Sequence, residues 1–116
     1  MYCNEGDIQM FGFKEIDIAA LQNLQAQGKV ALIDVRTDAE VARGMIAGAE
    51  HLPLHMLPIR ANDMSHDVPT VFYCQSGGRS GQACAFMASK GYTNVYNLQG
   101  GILAWVRSGR DVAAAA

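Results

Sequence analysis

One cysteine is followed by residues whose types suit nucleophilic sulfur chemistry. Residues 74–79 read Cys-Gln-Ser-Gly-Gly-Arg and lie between an apolar segment and a predicted helix. Two glycines permit positive φ angles, so successive backbone N–H groups can face one point and form an anion cradle. The helix N-terminus and the Arg79 guanidinium add positive charge. Together they predict that Cys74 ionises below the ~8.5 of a free thiol and acts as a thiolate nucleophile.

Cys74 and Arg79 each have a second interpretation. A cysteine at the end of an apolar strand is usually a packing residue, but packing does not require a glycine-rich, cationic loop directly after it. We therefore favour the nucleophile. Arg79 can attract an anionic substrate, or it can form a structural ion pair with an acid such as Asp34 or Glu40. Both roles can coexist, since a paired arginine still contributes to the local field.

The remaining cysteines and histidines are predicted to lie outside this chemistry. The chain has three cysteines and no C-x-x-C spacing, so neither a disulfide framework nor a structural zinc site is expected. Cys84 lies at the flank of its predicted helix and is interpreted as rim packing rather than a resolving thiol, and Cys3 as an unstructured N-terminal residue. The histidines are predicted to be surface or packing residues rather than general bases. They are His51, His55 and His66.

The elements that must position the loop alternate between strand and helix. The predicted strands are residues 31–35, 49–52, 70–73 and 94–98; the predicted helices are 18–27, a short helix ending at Gly44, 54–61, 80–90 and one running from Gly100-Gly101 through Trp105. Asp17 is a predicted N-cap, and Thr37 with Glu40 matches a capping box. This alternation predicts a mainly parallel sheet with helices on both faces and a site beyond the carboxyl ends of its strands.

Length and composition limit the class of protein. The chain has 116 residues, 50% of them hydrophobic and 17% charged, with a formal net charge of −2 and no charge runs. One domain is expected, and nucleic acid is disfavoured as a partner because its phosphates require a basic face. No apolar stretch approaches the ~20 residues of a membrane helix, and the first twelve residues do not read as a secretion signal. We expect no membrane partner and a cytoplasmic location.

Four segments, taken in order, resemble the rhodanese family of sulfurtransferases. They are Leu-Ile-Asp-Val-Arg at 32–36; residues 44–53, a variant of G-H-I-x-G-A-x-x-x-P; the C-x-S-G-x-R-S loop at 74–80; and residues 98–105, which hold G-G-x-x-x-W. Met45 stands where the family usually has histidine, a change that affects packing more than chemistry. The resemblance runs from about Phe13 to Ser108. We therefore expect an N-terminal extension over 1–12, a rhodanese-like domain over 13–108 and a tail over 109–116, frayed from Asp111.

The resemblance implies an open, mainly parallel five-stranded sheet with helices on both faces. It implies that Cys74 takes a sulfane sulfur from a small sulfur-containing anion, holds it as a persulfide and passes it to cyanide, a thiol or a protein acceptor. No metal or organic cofactor is required. The substrate-binding loop is Gln75, Ser76, Gly77, Gly78, Arg79 and Ser80, with Asp34 and Arg36 in a supporting role.

Loop length separates this interpretation from its rivals. Cysteine phosphatases and arsenate reductases place five residues between cysteine and arginine, usually after a histidine, whereas four residues intervene here and Tyr73 precedes. Mercaptopyruvate-using relatives tend to have C-G-x-G-x-T, so Gln75 and Arg79 favour thiosulfate or a persulfide as donor. A different class stays open: a sulfur carrier or binding module that passes persulfide sulfur to a partner protein with little small-molecule turnover.

Overall fold

We describe the chain from a computed structural model, which covers residues 12–114. Its strands are β1 Lys14–Ile16, β2 Ala31–Asp34, β3 Glu50–His51, β4 Thr70–Tyr73 and β5 Val95–Leu98. Its α-helices are α1 Ile18–Gln27, α2 Asp38–Val41, α3 Leu57–Arg60, α4 Gly78–Ser89 and α5 Gly101–Arg107, and two 3₁₀ turns cover Leu54–Met56 and Ala61–Asp63.

The five strands form one parallel sheet in the order β1-β5-β4-β2-β3. This confirms the predicted fold class. Strand β4 lies at the centre and all four of its residues are buried, as expected for an apolar run covered on both faces. Strand β1 is an edge strand of three half-buried residues, and no apolar alternation in the sequence marks it.

Alternate residues along the strands face two separate apolar layers. On one face, Phe72 and Val95 pack in a cluster that includes Met87 of α4. On the other, Val71 and Leu98 pack with residues of α1 and α5. Residues two apart on a strand share a face. Cys74 and Asn97 therefore belong to the α4 side of the sheet.

The predicted helix starts are confirmed by their hydrogen bonds. The Ala20 amide donates to Asp17 Oδ1 at 2.9 Å. In the capping box, the Glu40 amide donates to Thr37 Oγ1 at 3.3 Å, and the Thr37 amide donates to Glu40 Oε1 at 3.0 Å. The box fixes the first turn of α2, and with it the position of the Glu40 carboxylate.

The C-terminal segment differs from expectation. Fraying from Asp111 onward is wrong for the part that the structure describes, because Ala113 forms an antiparallel bridge with Met45. The Met45 amide donates to the Ala113 carbonyl at 2.8 Å, and the Ala113 amide donates back at 2.6 Å. Met45 itself is buried. Within residues 12–114, no helix combines the length and apolar character needed to cross a membrane.

Candidate active site

Cys74 follows the central strand β4 at the carboxyl edge of the sheet, where the chain turns into α4. Its side chain is 1% exposed and belongs to the apolar cluster beneath α4. The loop around it is more open, since Gln75, Ser76 and Gly78 are exposed. The cysteine itself is therefore buried, and solvent reaches the loop at the three exposed residues.

The Cys74 sulfur is surrounded by hydrogen-bond donors. The Gly77 amide donates to Sγ at 3.1 Å and the Ser80 amide at 3.4 Å, and Ser80 Oγ lies 3.4 Å from the sulfur. Gly77, with φ of 117°, is the N-cap residue of α4 and turns these amides back toward the sulfur. Burial alone raises the pKa of Cys74, but hydrogen bonds from the Ser80 hydroxyl and from the loop amides outweigh it and lower the pKa. This is the direction that the sequence predicts.

Two further polar side chains, those of Asn97 and Glu15, extend the hydrogen bonding from Ser80. The Ser80 hydroxyl donates to Asn97 Oδ1 at 2.6 Å. Asn97 Nδ2 donates to Glu15 Oε2 at 3.0 Å and to the Gly77 carbonyl at 3.1 Å, which fixes the amide so that its oxygen faces Ser80. A hydroxyl has one proton, so Ser80 donates to the Cys74 sulfur only by giving up its Asn97 bond. The Gly77 and Ser80 amides are thus the constant donors to the sulfur.

We expect Ser80→Ala to raise the pH at which Cys74 ionises and to reduce the thiolate fraction at neutral pH about 2- to 10-fold. A hydrogen bond to a charged group is worth about 1.5–3 kcal/mol, and part of that is offset here by the lost Asn97 bond. The measurement is a titration of thiolate ultraviolet absorbance. Ser76→Ala is the matched control, since Ser76 is exposed and the variant keeps its amide. An identical midpoint in both variants contradicts the role given to the Ser80 hydroxyl.

Arg79 forms an ion pair with Glu40, one of the two acids that the sequence offered as its partner. The guanidinium donates to Glu40 Oε1 at 2.7 Å and to Oε2 at 2.8 Å, in bidentate geometry. This hydrogen bonding lowers the pKa of Glu40 to about 2 and raises that of Arg79. The side chains are 35% and 26% exposed, respectively. Arg79 therefore reaches the edge of the loop with its charge already paired.

Asp34 pairs with Arg36 instead of Arg79. Asp34 accepts from Arg36 Nε at 3.0 Å and from NH2 at 2.8 Å, and both residues are buried. Arg36 also donates to the Gly44 carbonyl at 2.7 Å. This pair braces the turn after β2 against the segment that follows α2. Among the described residues, the hydrogen bonds to the Cys74 sulfur come from Gly77 and Ser80, and neither Asp34 nor Arg36 takes part in them.

A groove opens beside Arg79 at the carboxyl edge of the sheet. It encloses about 560 Å³ and is lined largely by apolar atoms of Val35, Ala39, Pro53 and Leu54. Val35 belongs to the same apolar cluster as Cys74, and Leu54 packs against it. Arg36, His55 and Asp38 complete the wall on the same side as Arg79. The groove is large enough for a small organic molecule.

Cys84, His51 and His66 are each held by packing or by contacts within the fold. Cys84 is fully buried in the α4 core, so the predicted rim position is wrong; burial raises the pKa of its thiol. His51 Nε2 lies 2.7 Å from the Arg36 carbonyl, and His66 stacks on Tyr92. Cys3 lies outside the described residues. Within the described chain, no group of three or more His, Cys, Asp or Glu side chains is placed to hold a metal ion.

Sequence reasoning did not identify Asn97 and Glu15 as part of the site. They lie 17 and 65 residues from Ser80 along the chain, and only the pairing of β1 with β5 brings them together. One signal was available: asparagine is depleted in strands, so an asparagine inside Asn-Val-Tyr-Asn-Leu marks a buried polar partner.

Comparisons with known proteins agree with this geometry. A sequence model of the rhodanese-like domain matches residues 17–108. A sulfurtransferase of Allochromatium vinosum is 48% identical over 101 residues, covering 86% of this chain and 94% of its own. Thiosulfate sulfurtransferase GlpE of Pseudomonas fluorescens is 38% identical, covering 83% and 87%. A crystal structure of a rhodanese-like domain protein from Staphylococcus aureus has a TM-score of 0.76 at 29% identity, covering 88% and 100%. With its parallel sheet and its cysteine loop at the end of β4, this chain belongs to the rhodanese-like domain family.

Proposed function

We propose that this protein is a sulfurtransferase that carries sulfane sulfur on Cys74. The single observation behind the proposal is the Cys74 sulfur held by the Gly77 and Ser80 amides at the carboxyl end of the central strand. Backbone donors in this arrangement stabilise negative charge on sulfur in either the thiolate or the persulfide. Membership of a family whose named relatives are sulfurtransferases supports the same reaction class.

The first half-reaction transfers one sulfur atom to the enzyme. The Cys74 thiolate attacks the outer sulfur of a donor such as thiosulfate, a bond forms between the two sulfurs, and the donor's S–S bond breaks. Sulfite leaves with the electron pair of that bond, and Cys74 becomes a persulfide anion. A donor can approach along the exposed loop residues Gln75, Ser76 and Gly78, next to the groove that Arg79 also lines.

The second half-reaction returns the cysteine to its starting state. A nucleophilic acceptor, which is cyanide in an assay and a thiol or protein thiol in a cell, attacks the outer persulfide sulfur. The Cys74 thiolate leaves with the electron pair, again stabilised by the loop amides. Separate donor and acceptor steps give ping-pong kinetics. We also propose a cytoplasmic location, where thiols are kept reduced.

Incubation with thiosulfate is expected to add one sulfur atom to the protein, and cyanide is expected to remove it. Intact-mass analysis followed by peptide mapping measures both steps and places the added sulfur on the peptide containing Cys74. A persulfide that forms rapidly but is released only to a partner thiol, with little turnover to cyanide, identifies a sulfur carrier. The proposal fails if the protein gains no sulfur from thiosulfate or a persulfide, or if the sulfur is found on Cys3 or Cys84.

A further inference from the structure

Every guanidinium that lines the groove beside the loop is already neutralised by a carboxylate. Arg36 is paired with buried Asp34 at 2.8 Å. Arg79 is held by both oxygens of Glu40. The rest of the lining is largely apolar, and Asp38 adds a negative charge at the rim. A dianion entering this groove meets no unpaired arginine among the described lining residues.

The Glu40–Arg79 pair is fixed from both ends. The capping box holds Glu40 in place because the Thr37 amide and hydroxyl both donate to Glu40 Oε1, at 3.0 and 3.1 Å. Arg79 lies in the first turn of α4, one residue before Ser80, whose amide contacts the Cys74 sulfur. A bidentate arginine–carboxylate pair is stronger and more directional than a lysine pair. A donor that needs the Arg79 charge must therefore compete with Glu40 for it.

We infer that Glu40 is a specificity-determining residue that, by pairing with Arg79, disfavours dianionic sulfur donors and favours organic persulfides carrying at most one negative charge. The inference rests on the proposed function and names the donor class for the same site. A dianion such as thiosulfate loses hydration on entering the groove without gaining an unpaired arginine. An alkyl persulfide carries at most one negative charge, and its carbon skeleton can pack on Val35, Pro53 and Leu54 in the groove beside Arg79.

Sulfur transfer from an organic persulfide to Cys74 conserves atoms, charge and electrons. The persulfide reacts in its protonated form, R–S–SH: the Cys74 thiolate attacks its outer sulfur, the new Cys74–sulfur bond forms, and the donor's S–S bond breaks to leave Cys74 as a persulfide anion. The thiol R–SH leaves with the electron pair and the proton, so no oxidant or reductant is consumed. The acceptor step is the same as for thiosulfate.

The test compares two donors that share a reacting group and differ in charge. Thiosulfate is a dianion, whereas benzenethiosulfonate replaces one charged oxygen with an apolar ring and is a monoanion. We expect the wild-type protein to use benzenethiosulfonate with the higher kcat/KM. Glu40→Gln is expected to lower the KM for thiosulfate about 5- to 20-fold, the scale of removing one partly screened neighbouring charge. The KM for benzenethiosulfonate is expected to change less than about threefold on the same scale.

Glu40→Gln is a conservative variant because glutamine also serves at this position of a capping box. Glu50→Gln is the matched control: it also removes one carboxylate that pairs with an arginine, but Glu50 is 59% exposed, pairs with Arg60 and lies outside the groove. We expect it to leave the thiosulfate KM within about twofold, as for an exposed charge. Adding Arg79→Ala to Glu40→Gln is expected to abolish the gain, which a double-mutant cycle measures.

A second readout does not depend on turnover. Freeing Arg79 places more positive charge near Cys74, so Glu40→Gln is expected to move the midpoint of the thiolate absorbance titration to lower pH. Glu50→Gln is expected to leave that midpoint in place. Equal donor preference in wild type and Glu40→Gln, with an unmoved midpoint, overturns the inference while sulfur transfer itself persists. Failure of both donors to load Cys74 is instead the failure of the proposed function.

Discussion

Cys74→Ser is expected to reduce sulfur transfer at least about 10³-fold and to abolish the gain of one sulfur atom in the intact mass. Removing a nucleophile that forms the covalent intermediate leaves only the binding contribution of the site. A serine hydroxyl is also far less ionised than a thiol at neutral pH, and it forms no stable bond to sulfane sulfur. Steady-state cyanide assays and mass analysis after donor incubation measure the two losses separately.

The serine variant is expected to stay folded. Cys74 is 1% exposed, and serine retains both the shape and the hydrogen bonding of the buried side chain. A hydroxyl oxygen can accept from the Gly77 and Ser80 amides that now face the sulfur, which leaves no buried donor unsatisfied. Cys74→Ala instead leaves a small cavity and two unpartnered amides. A thermal melt of both variants checks this order of stability.

Cys84→Ala is the matched control for this experiment. Cys84 is buried in the same core as Cys74 but contributes no donor or acceptor to the loop interactions described above. The alanine variant is expected to lose some stability to its cavity and to gain one sulfur atom as the wild type does. If Cys74→Ser still accepts sulfur, or if Cys84→Ala stops accepting it, Cys74 is not the sulfur-bearing residue.

Local sequence signals predicted the parts of the site that are close together in the chain. The continuous apolar run at 70–73 indicated the central strand, and the glycines after Cys74 indicated amides that turn back on the sulfur. Thr37 and Glu40 indicated the capping box that now places a carboxylate opposite Arg79. Each of these features is determined within about six residues, which is the range over which periodicity and turn chemistry operate.

The sequence did not determine which ion-pair partner each charged residue has in the fold. Asp34 and Glu40 were equal candidates for Arg79, and the structure assigns Glu40 because Asp34 is occupied by Arg36 through a backbone amide and two guanidinium nitrogens. That choice depends on burial: Asp34 is 0% exposed, and a buried carboxylate needs all its hydrogen bonds satisfied nearby. Likewise, the Asn97–Glu15 contact depends on the register of an edge strand too short to predict.

The Gly100-Gly101 pair brings the first turn of α5 against the backbone of the cysteine loop. The Ile102 amide donates to the Cys74 carbonyl at 3.0 Å, and the Leu103 amide donates to the Gln75 carbonyl at 3.1 Å. Gly101 has φ of 56°, and a Cβ atom there would overlap the carbonyl oxygens of Cys74 and Gln75. The motif therefore serves close backbone approach between α5 and the loop, rather than flexibility.

Gly101→Ala is expected to lower the free energy of unfolding by about 3 kcal/mol or more. The left-handed backbone contributes about 1–2 kcal/mol of this loss, and overpacking against the loop contributes about 1–3 kcal/mol. Sulfur transfer is expected to fall as well, because relief of the overlap moves α5 away from Cys74. Denaturant unfolding measures the first effect, and the cyanide assay measures the second in protein shown to be folded.

Gly48→Ala separates the cost of the left-handed backbone from the cost of overpacking. Gly48 has φ of 85° and nothing within 4 Å of a built Cβ atom, so alanine there carries only the conformational cost of about 1–2 kcal/mol. It is expected to leave sulfur transfer unchanged, since Gly48 lies outside the loop and the groove. The excess loss in Gly101→Ala measures the contact between α5 and the loop. If the two variants are equally destabilised and equally active, that contact does not hold the sulfur-bearing loop in place.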